Sequence, residues 1–286
     1  MILVKILSIK SDFRNCFSAV FLFNFFLLSS AFAESVITWQ GSWQQGGLLM
    51  GQIKPEYRVS FAGEQIKTTA DGRFLFGLGR NAQGPSTFIV SSPNGTAIEA
   101  QYPVAEREYK IQRVEGVPQQ TVKPPAEQLQ RIRSDSALVV KARREVTSVT
   151  DFLEGFIKPI DGLVTGVYGS QRFYNGVPKS PHYGIDYAAP KGANVIAPAS
   201  GVVRLAHRDL FYSGGTLIID HGHGLSSSFL HLSDILVMEG SRVERGDSIA
   251  LVGSTGRSTG PHLDWRMNWR NVRVDPELVL EALPAQ

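Results

Sequence analysis

The run His262-Leu263-Asp264-Trp265-Arg266-Met267 alternates polar and apolar residues without a break. That period of two predicts a strand with Leu263, Trp265 and Met267 in the core and His262, Asp264 and Arg266 on the opposite face. The octet before it, Gly253 to Gly260, is dense in glycine and can bring its backbone close to a ligand. Short strand-like runs broken by turns recur along the chain. With 43% hydrophobic residues, 28 Gly and 15 Pro, the composition argues for a mainly β globular protein and against disorder, coiled coil and collagen.

Residues 1–33 read as an export signal. Lys5, Lys10 and Arg14 precede an apolar stretch from Phe17 to Leu28, and Ala31-Phe32-Ala33 has the small-x-small pattern of a cleavage site. The apolar run is shorter than the ~20 residues of a spanning helix, so no transmembrane segment is expected in a mature chain beginning near Glu34. The expected location is the periplasm or cell envelope. Cys16 is the single cysteine and lies in this segment, so the mature chain's chemistry must come from His, carboxylate or hydroxyl groups. A formal net charge of +3, about +1 after cleavage, is too small to suggest nucleic acid as a partner.

Residues 34–116 read as a small, Ig-like β-sandwich serving as an accessory domain. Its strands are expected at Arg58–Phe61, Arg73–Phe76 and Thr87–Val90, with hairpin turns at Asp71-Gly72 and Asn94-Gly95. It contains no histidine, and a spacer or docking role is expected. Residues 117–150 read as a linker rich in proline at Pro118, Pro124 and Pro125, followed by a connecting helix within Ala126 to Val146. Residues 151–286 return to short strands and hold all six histidines, from His182 to His262.

Three groups of residues in that last segment carry candidate chemistry. His182 and Asp186 would lie about 13 Å apart on a straight strand, so a shared metal requires a bend, which Gly184 permits. His231 alternates with apolar neighbours and could equally be a core histidine. The face bearing His262, Asp264 and Arg266 could, taken alone, be solvated surface. His221-Gly222-His223-Gly224 reads as a hairpin turn, and His207 as a surface residue.

Taken in order, these blocks resemble the LytM/lysostaphin-type zinc metallopeptidases, β-sheet peptidoglycan endopeptidases. The blocks are His182-x-x-x-Asp186, Leu217-Ile218-Ile219-Asp220-His221-Gly222, His231-Leu232-Ser233, and Gly253-Ser254-Thr255-Gly256 leading to Gly260-Pro261-His262. The resemblance covers about Gly166 to Pro276. It implies an antiparallel β-sheet peptidase domain, one Zn²⁺ per chain, metal ligands His182 and Asp186, catalytic histidines His231 and His262, and peptidoglycan as substrate. Tyr183, Gly256, Ser258 and Arg266 would border the substrate.

One position departs from the family pattern, because Asp264 stands where the third ligand is usually His. A carboxylate binds Zn²⁺ at a similar bond length, but a second carboxylate would neutralise the centre and acidify bound water less. Such an oxygen-richer site is expected to accept Mn²⁺ as well. Arg266 faces the same way about 7 Å along the strand. On sequence grounds either it pairs with Asp264 and removes a ligand, or Asp264 binds metal and Arg266 holds a substrate carboxylate. Metal binding is the reading adopted, since the other four positions are chemically competent. A working but weakened site would then gain activity on Asp264→His. The alternative functions are a catalytically inactive domain that binds cell wall or activates a partner amidase, and a scaffold whose working part is the sandwich.

Overall fold

A computed structural model describes residues 4–6, 35–117 and 122–286. The expected cleavage site, Cys16 and Pro118 lie outside the described residues. The chain is mainly β, with antiparallel sheets and few helices. Among the described residues no helix is long and apolar enough to cross a membrane.

The N-terminal strands form two facing sheets. Thr38–Gln40, Leu48–Gln52 and Arg73–Gly77 make a three-stranded sheet; Arg58–Phe61, Glu64–Gln65, Pro85–Ser91 and Ala97–Pro103 form the other, joined at one edge by Val4–Ile6. In Pro85–Ser91 every second side chain is buried, as a half-buried strand requires. The aromatic rings of Trp39, Phe74, Phe88 and Tyr102 meet between the sheets with centroids 5.2 to 6.5 Å apart. Gly72 closes the expected turn at φ 87°, where a Cβ would lie 2.2 Å from the Ile53 carbonyl oxygen.

The sandwich is fused to the C-terminal half through a shared core, a closer union than a spacer needs. Phe76 packs edge-on against Trp269 at 5.4 Å, and one hydrophobic cluster runs from Ile37 to Leu283. Phe76→Ala should therefore destabilise the whole chain by about 3 to 4 kcal/mol. Denaturant unfolding followed by circular dichroism and tryptophan fluorescence should show one shifted transition; two separate transitions would mean independent halves.

After the sandwich, Ile111–Val114 pairs in parallel with Gln171–Tyr174, so the chain touches the C-terminal domain before the linker. The connecting helix is Leu129–Ala142, preceded by a short 3₁₀ turn at Ala126–Gln128. Its Val139 and Ala142 pack on buried Leu205, Leu210 and Ile218. A terminal helix, Pro276–Ala282, is capped by the Asp275 side chain accepting from the Glu277 N–H.

The C-terminal domain is built on an eight-stranded sheet. Its order is Leu163–Gly166, Ile185–Ala188, His262–Trp269, Leu225–Leu232, Gly214–Gly222, Gly201–Leu210 and Arg242–Val243, with Val272–Val274 paired to the 262–269 strand. Leu263, Trp265 and Met267 are fully buried, as the alternation predicted. The hairpin between the 214–222 and 225–232 strands turns at His223, whose φ is +49°, between Gly222 and Gly224. His221 itself belongs to the strand and the core. Its Nδ1 lies 2.7 Å from the Ser200 carbonyl oxygen and its Nε2 2.7 Å from Ser227 Oγ, so both nitrogens are satisfied. His207 is half-buried on the 201–210 strand, its Nδ1 accepting from the Asp209 N–H.

Candidate metal centre and cleft

Antiparallel register sets Asp186 directly opposite Asp264 on neighbouring strands. Two carboxylates facing each other repel unless cations intervene, and here each has its own arginine. Arg266 forks onto Asp264, with Nε 2.9 Å from Oδ1 and Nη2 2.5 Å from Oδ2. Arg172 donates to Asp186 Oδ2 and is itself held by Gln112 Oε1 at 2.9 Å and the Tyr174 hydroxyl at 3.1 Å. Burial opposes ionisation of both acids. Arg266 and His182 nevertheless hold Asp264 well below the usual carboxylate range, and His182 and Arg172 lower Asp186.

His182 completes the group from the segment before the 185–188 strand. Its backbone is pinned on both sides, the N–H donating to the Ser170 carbonyl at 2.8 Å and the carbonyl accepting from the Gly169 N–H at 2.7 Å. Its Nε2 lies 3.0 Å from Asp186 Oδ1 and 3.4 Å from Asp264 Oδ1. The chain bends at Gly184 as expected, and the residue must also be small. A Cβ there would sit 2.6 Å from Asp264 Oδ1 and from Arg266 Cγ. Gly166 likewise leaves room for Asp186 and Arg172.

These three residues fit a divalent cation. One ligand atom from each lies within 4.8 Å of the others, and the side chains are almost fully buried. Both ring nitrogens of His182 and Oδ1 of Asp186 are buried without a hydrogen-bond partner; a cation bound between the carboxylates and His182 would relieve this at Nε2 and Oδ1. Burial alone would lower the His182 pKa, but Asp186 and Asp264 overcome it and raise it, so the carboxylates draw positive charge to this point.

Arg266 therefore does not divide its options as the spacing suggested. It pairs with Asp264 while Asp264 Oδ1 still faces His182. Because each carboxylate is matched by a guanidinium, the second acid does not leave the centre as electron-rich as a bare pair would.

The two remaining histidines stand beside this group, their rings 4.9 Å apart. His231 takes φ +64°, a conformation a bulky residue rarely adopts. It is held by its N–H donating to the Ser213 carbonyl at 2.8 Å. Its Nδ1 donates to the Thr255 carbonyl at 2.8 Å, and Nδ1 of His262 donates to the Gly260 carbonyl at 2.8 Å. Both acceptors belong to the glycine-dense loop, which thus fixes both tautomers and leaves each Nε2 as an acceptor. The Nε2 atoms lie 4.0 Å from Asp264 Oδ2 and Asp186 Oδ1 respectively. Burial, only partly offset by Asp264, pushes His231 down to about 4, so it is neutral at pH 7.

The group lies in a cleft of about 330 Å³. Ser258 lines it and sits 3.3 Å from His262 Nδ1. Gly256 instead packs against the Tyr212–Gly214 turn, where a Cβ would lie 2.4 Å from the Gly214 nitrogen. Tyr183 flanks the centre beneath the Arg273 guanidinium at 4.4 Å. Gln112, Val114 and Val117 form one wall, a contribution from just ahead of the linker and its first residue that nothing in their residue types signalled. Arg172 was missed for the same reason.

Known proteins with similar sequences share this segment. Residues 180–276 match the profile of Peptidase family M23. The chain is 44% identical over 95 residues to peptidoglycan DD-endopeptidase ShyB of Vibrio cholerae, covering 33% of this chain and 22% of that protein. It is 45% identical over 103 residues to DD-carboxypeptidase/endopeptidase Mpg of Neisseria meningitidis, covering 36% of this chain and 23% of that protein. The matches thus span under a quarter of these curated relatives' length. A crystal structure described as a candidate peptidase M23 from Pseudomonas aeruginosa aligns over 85% of this chain and 97% of its own. Its TM-score is 0.66 at 29% identity.

Proposed function

We propose that this chain, which belongs to peptidase family M23 through residues 180–276, is an exported zinc-dependent endopeptidase that hydrolyses amide bonds in the peptide crosslinks of peptidoglycan. The observation that carries this reading is the convergence of His182, Asp186 and Asp264 within 4.8 Å beside two histidines whose acceptor nitrogens face the same cleft. The names of the relatives support the substrate class. The export pattern in residues 1–33 supports action in the cell envelope.

His182, Asp186 and Asp264 would hold the zinc. When bound, the ion supplies Lewis acidity, polarising the scissile carbonyl and making a water nucleophilic near neutral pH. The protein's residues do the rest. One of the two Nε2 atoms takes the proton of the attacking water and returns it to the leaving amine, and the other histidine, with a proton taken from solvent, hydrogen-bonds the developing oxyanion. The carbonyls of Thr255 and Gly260 keep both rings in the orientation this requires. Arg172 and Arg266 hold the two carboxylates so that one oxygen of each still faces His182.

Purified protein should contain close to one zinc per chain and release soluble fragments from purified sacculi. Chelation should abolish release and added Zn²⁺ restore it, with Mn²⁺ tested in parallel. Chelated protein that digests sacculi as well as the untreated protein would sink the reading.

A further inference from the structure

The sheet face that bears the metal group continues beyond it. Along the 262–269 strand, Asp264, Arg266 and Asn268 share one face. Register places Ser228 opposite Arg266 and Arg273 opposite Asn268, so both project to that face as well. Onto Ser228 comes a residue from outside the sheet. Arg143, just past the connecting helix, donates from Nη2 to Ser228 Oγ at 2.6 Å. Three guanidiniums therefore gather on one stretch of this sheet face, next to the cleft that Arg266 lines.

Their partners differ. Arg266 is committed to Asp264, as Arg270 is to Glu64 and Arg204 to Glu145 and Asp220. Among the described residues, neither Arg143 nor Arg273 makes an ion pair. The Nε–H of Arg143 is buried with no acceptor, and Arg273 lies over the ring of Tyr183, next to His182. Burying an unmatched guanidinium is costly, and placing it among others of the same sign costs more. Burial first, then Arg273 and Arg266, pull Arg143 down to about 9. Clustered forks of this kind match a planar carboxylate.

We propose that Arg143 and Arg273 form a carboxylate-binding subsite for the substrate peptide, so that the segment after the connecting helix extends the binding surface beyond the cleft. Positions on this face lie about 7 to 13 Å from Asp264 along the strand. An extended peptide with its reacting amide at the metal group would set a carboxylate two to four residues away over the pair. The subsite rests on the peptidase reading for the identity of its substrate. It assigns the anion-holding role to these two arginines in place of Arg266.

The test compares two fluorescent crosslinked peptide dimers, one with free carboxylates and one with carboxamides. Binding to the chelated full chain is read by polarisation, and cleavage by the zinc-loaded chain by kcat and KM. The wild-type chain should bind the free acid about 10- to 100-fold more tightly. Arg273→Gln, at an exposed position, and Arg143→Gln should each remove most of that preference while zinc content stays unchanged. Arg→Lys at either position should keep part of it. Equal binding of the two dimers by wild type, or a preference that survives both glutamine variants, overturns the proposal. If the zinc-loaded chain cuts neither dimer while the chelated chain keeps the acid preference, the peptidase reading falls and the subsite stands. Cleavage of both with equal KM does the reverse.

Discussion

Replacing Asp264 with histidine, the residue usual at this position in the family it resembles, should weaken the protein's hold on its metal. Asp264 and Arg266 act as one unit, a carboxylate gripped by both arms of a guanidinium whose side chain is only 26% exposed. Together they are neutral, as an imidazole is, and Asp264 Oδ1 still faces His182 at 3.4 Å. A histidine at 264 has no two-oxygen edge for the fork to grip. Arg266 would then be left as a partly buried, unmatched cation beside the ion. Breaking a buried pair on one side costs about 3 to 5 kcal/mol of folding stability, and repulsion of the ion by the stranded guanidinium should in addition lower zinc affinity by roughly 10-fold or more. Asp264→His with Arg266→Met removes the stranded charge and should recover most of that loss. Competition with a chelator of known affinity measures both variants, and thermal unfolding of the metal-free proteins separates metal loss from misfolding. Undiminished affinity in Asp264→His alone would mean that the pair is not a unit.

The sign of that expectation reverses what the spacing of Asp264 and Arg266 suggested, and the reason is geometric. Along a strand, the spacing of the two side chains offers a choice between an ion pair and a metal ligand. A carboxylate has two oxygens and about four lone-pair directions, so it can satisfy a fork and still present an oxygen elsewhere. Sequence spacing shows reach but not lone pairs. The strand itself was legible because alternation of neighbours encodes its two faces directly, and Leu263, Trp265 and Met267 are buried as that alternation requires.

What sequence reading missed comes from residues brought together by folding over long separations. Arg172 and Asp186 are fourteen positions apart, and Gln112 lies sixty before Arg172. An arginine on a short strand and a glutamine before a linker have no pattern that marks them as supports of a metal group. Arg143 is similar, because its charge reads as part of a solvated helix end until Ser228 is seen beneath it. Gly184 was legible as a bend, but its lack of a side chain has a second cause in the crowding by Asp264 and Arg266. The backbone at His231 was also hidden. A positive φ in a non-glycine residue is imposed by its surroundings, here the Ser213 carbonyl and the Thr255 carbonyl that hold its two ends.

That conformation determines how the role of His231 is best tested. Alanine would remove the ring but also place a residue poorly suited to φ +64°. Asparagine tolerates the left-handed region and its amide can still donate to the Thr255 carbonyl, yet it offers no ring nitrogen to take a proton. His231→Asn should therefore lower kcat by about 10²- to 10⁴-fold while zinc content and melting temperature stay close to wild type. His231 lies outside the metal triad, with Nε2 4.0 Å from Asp264 Oδ2, so metal retention is part of the expectation. His262→Ala should show a comparable fall. The double variant should lose far less than the product of the two if both histidines serve one proton-transfer sequence, as proposed. Steady-state kinetics on a crosslinked peptide, with metal analysis of the same preparations, decides the matter. If His231→Asn keeps activity within about threefold of wild type, His231 is a packing residue and His262 works alone. If it loses zinc, its ring supports the metal group and the division of labour between the three ligands and the two histidines is wrong.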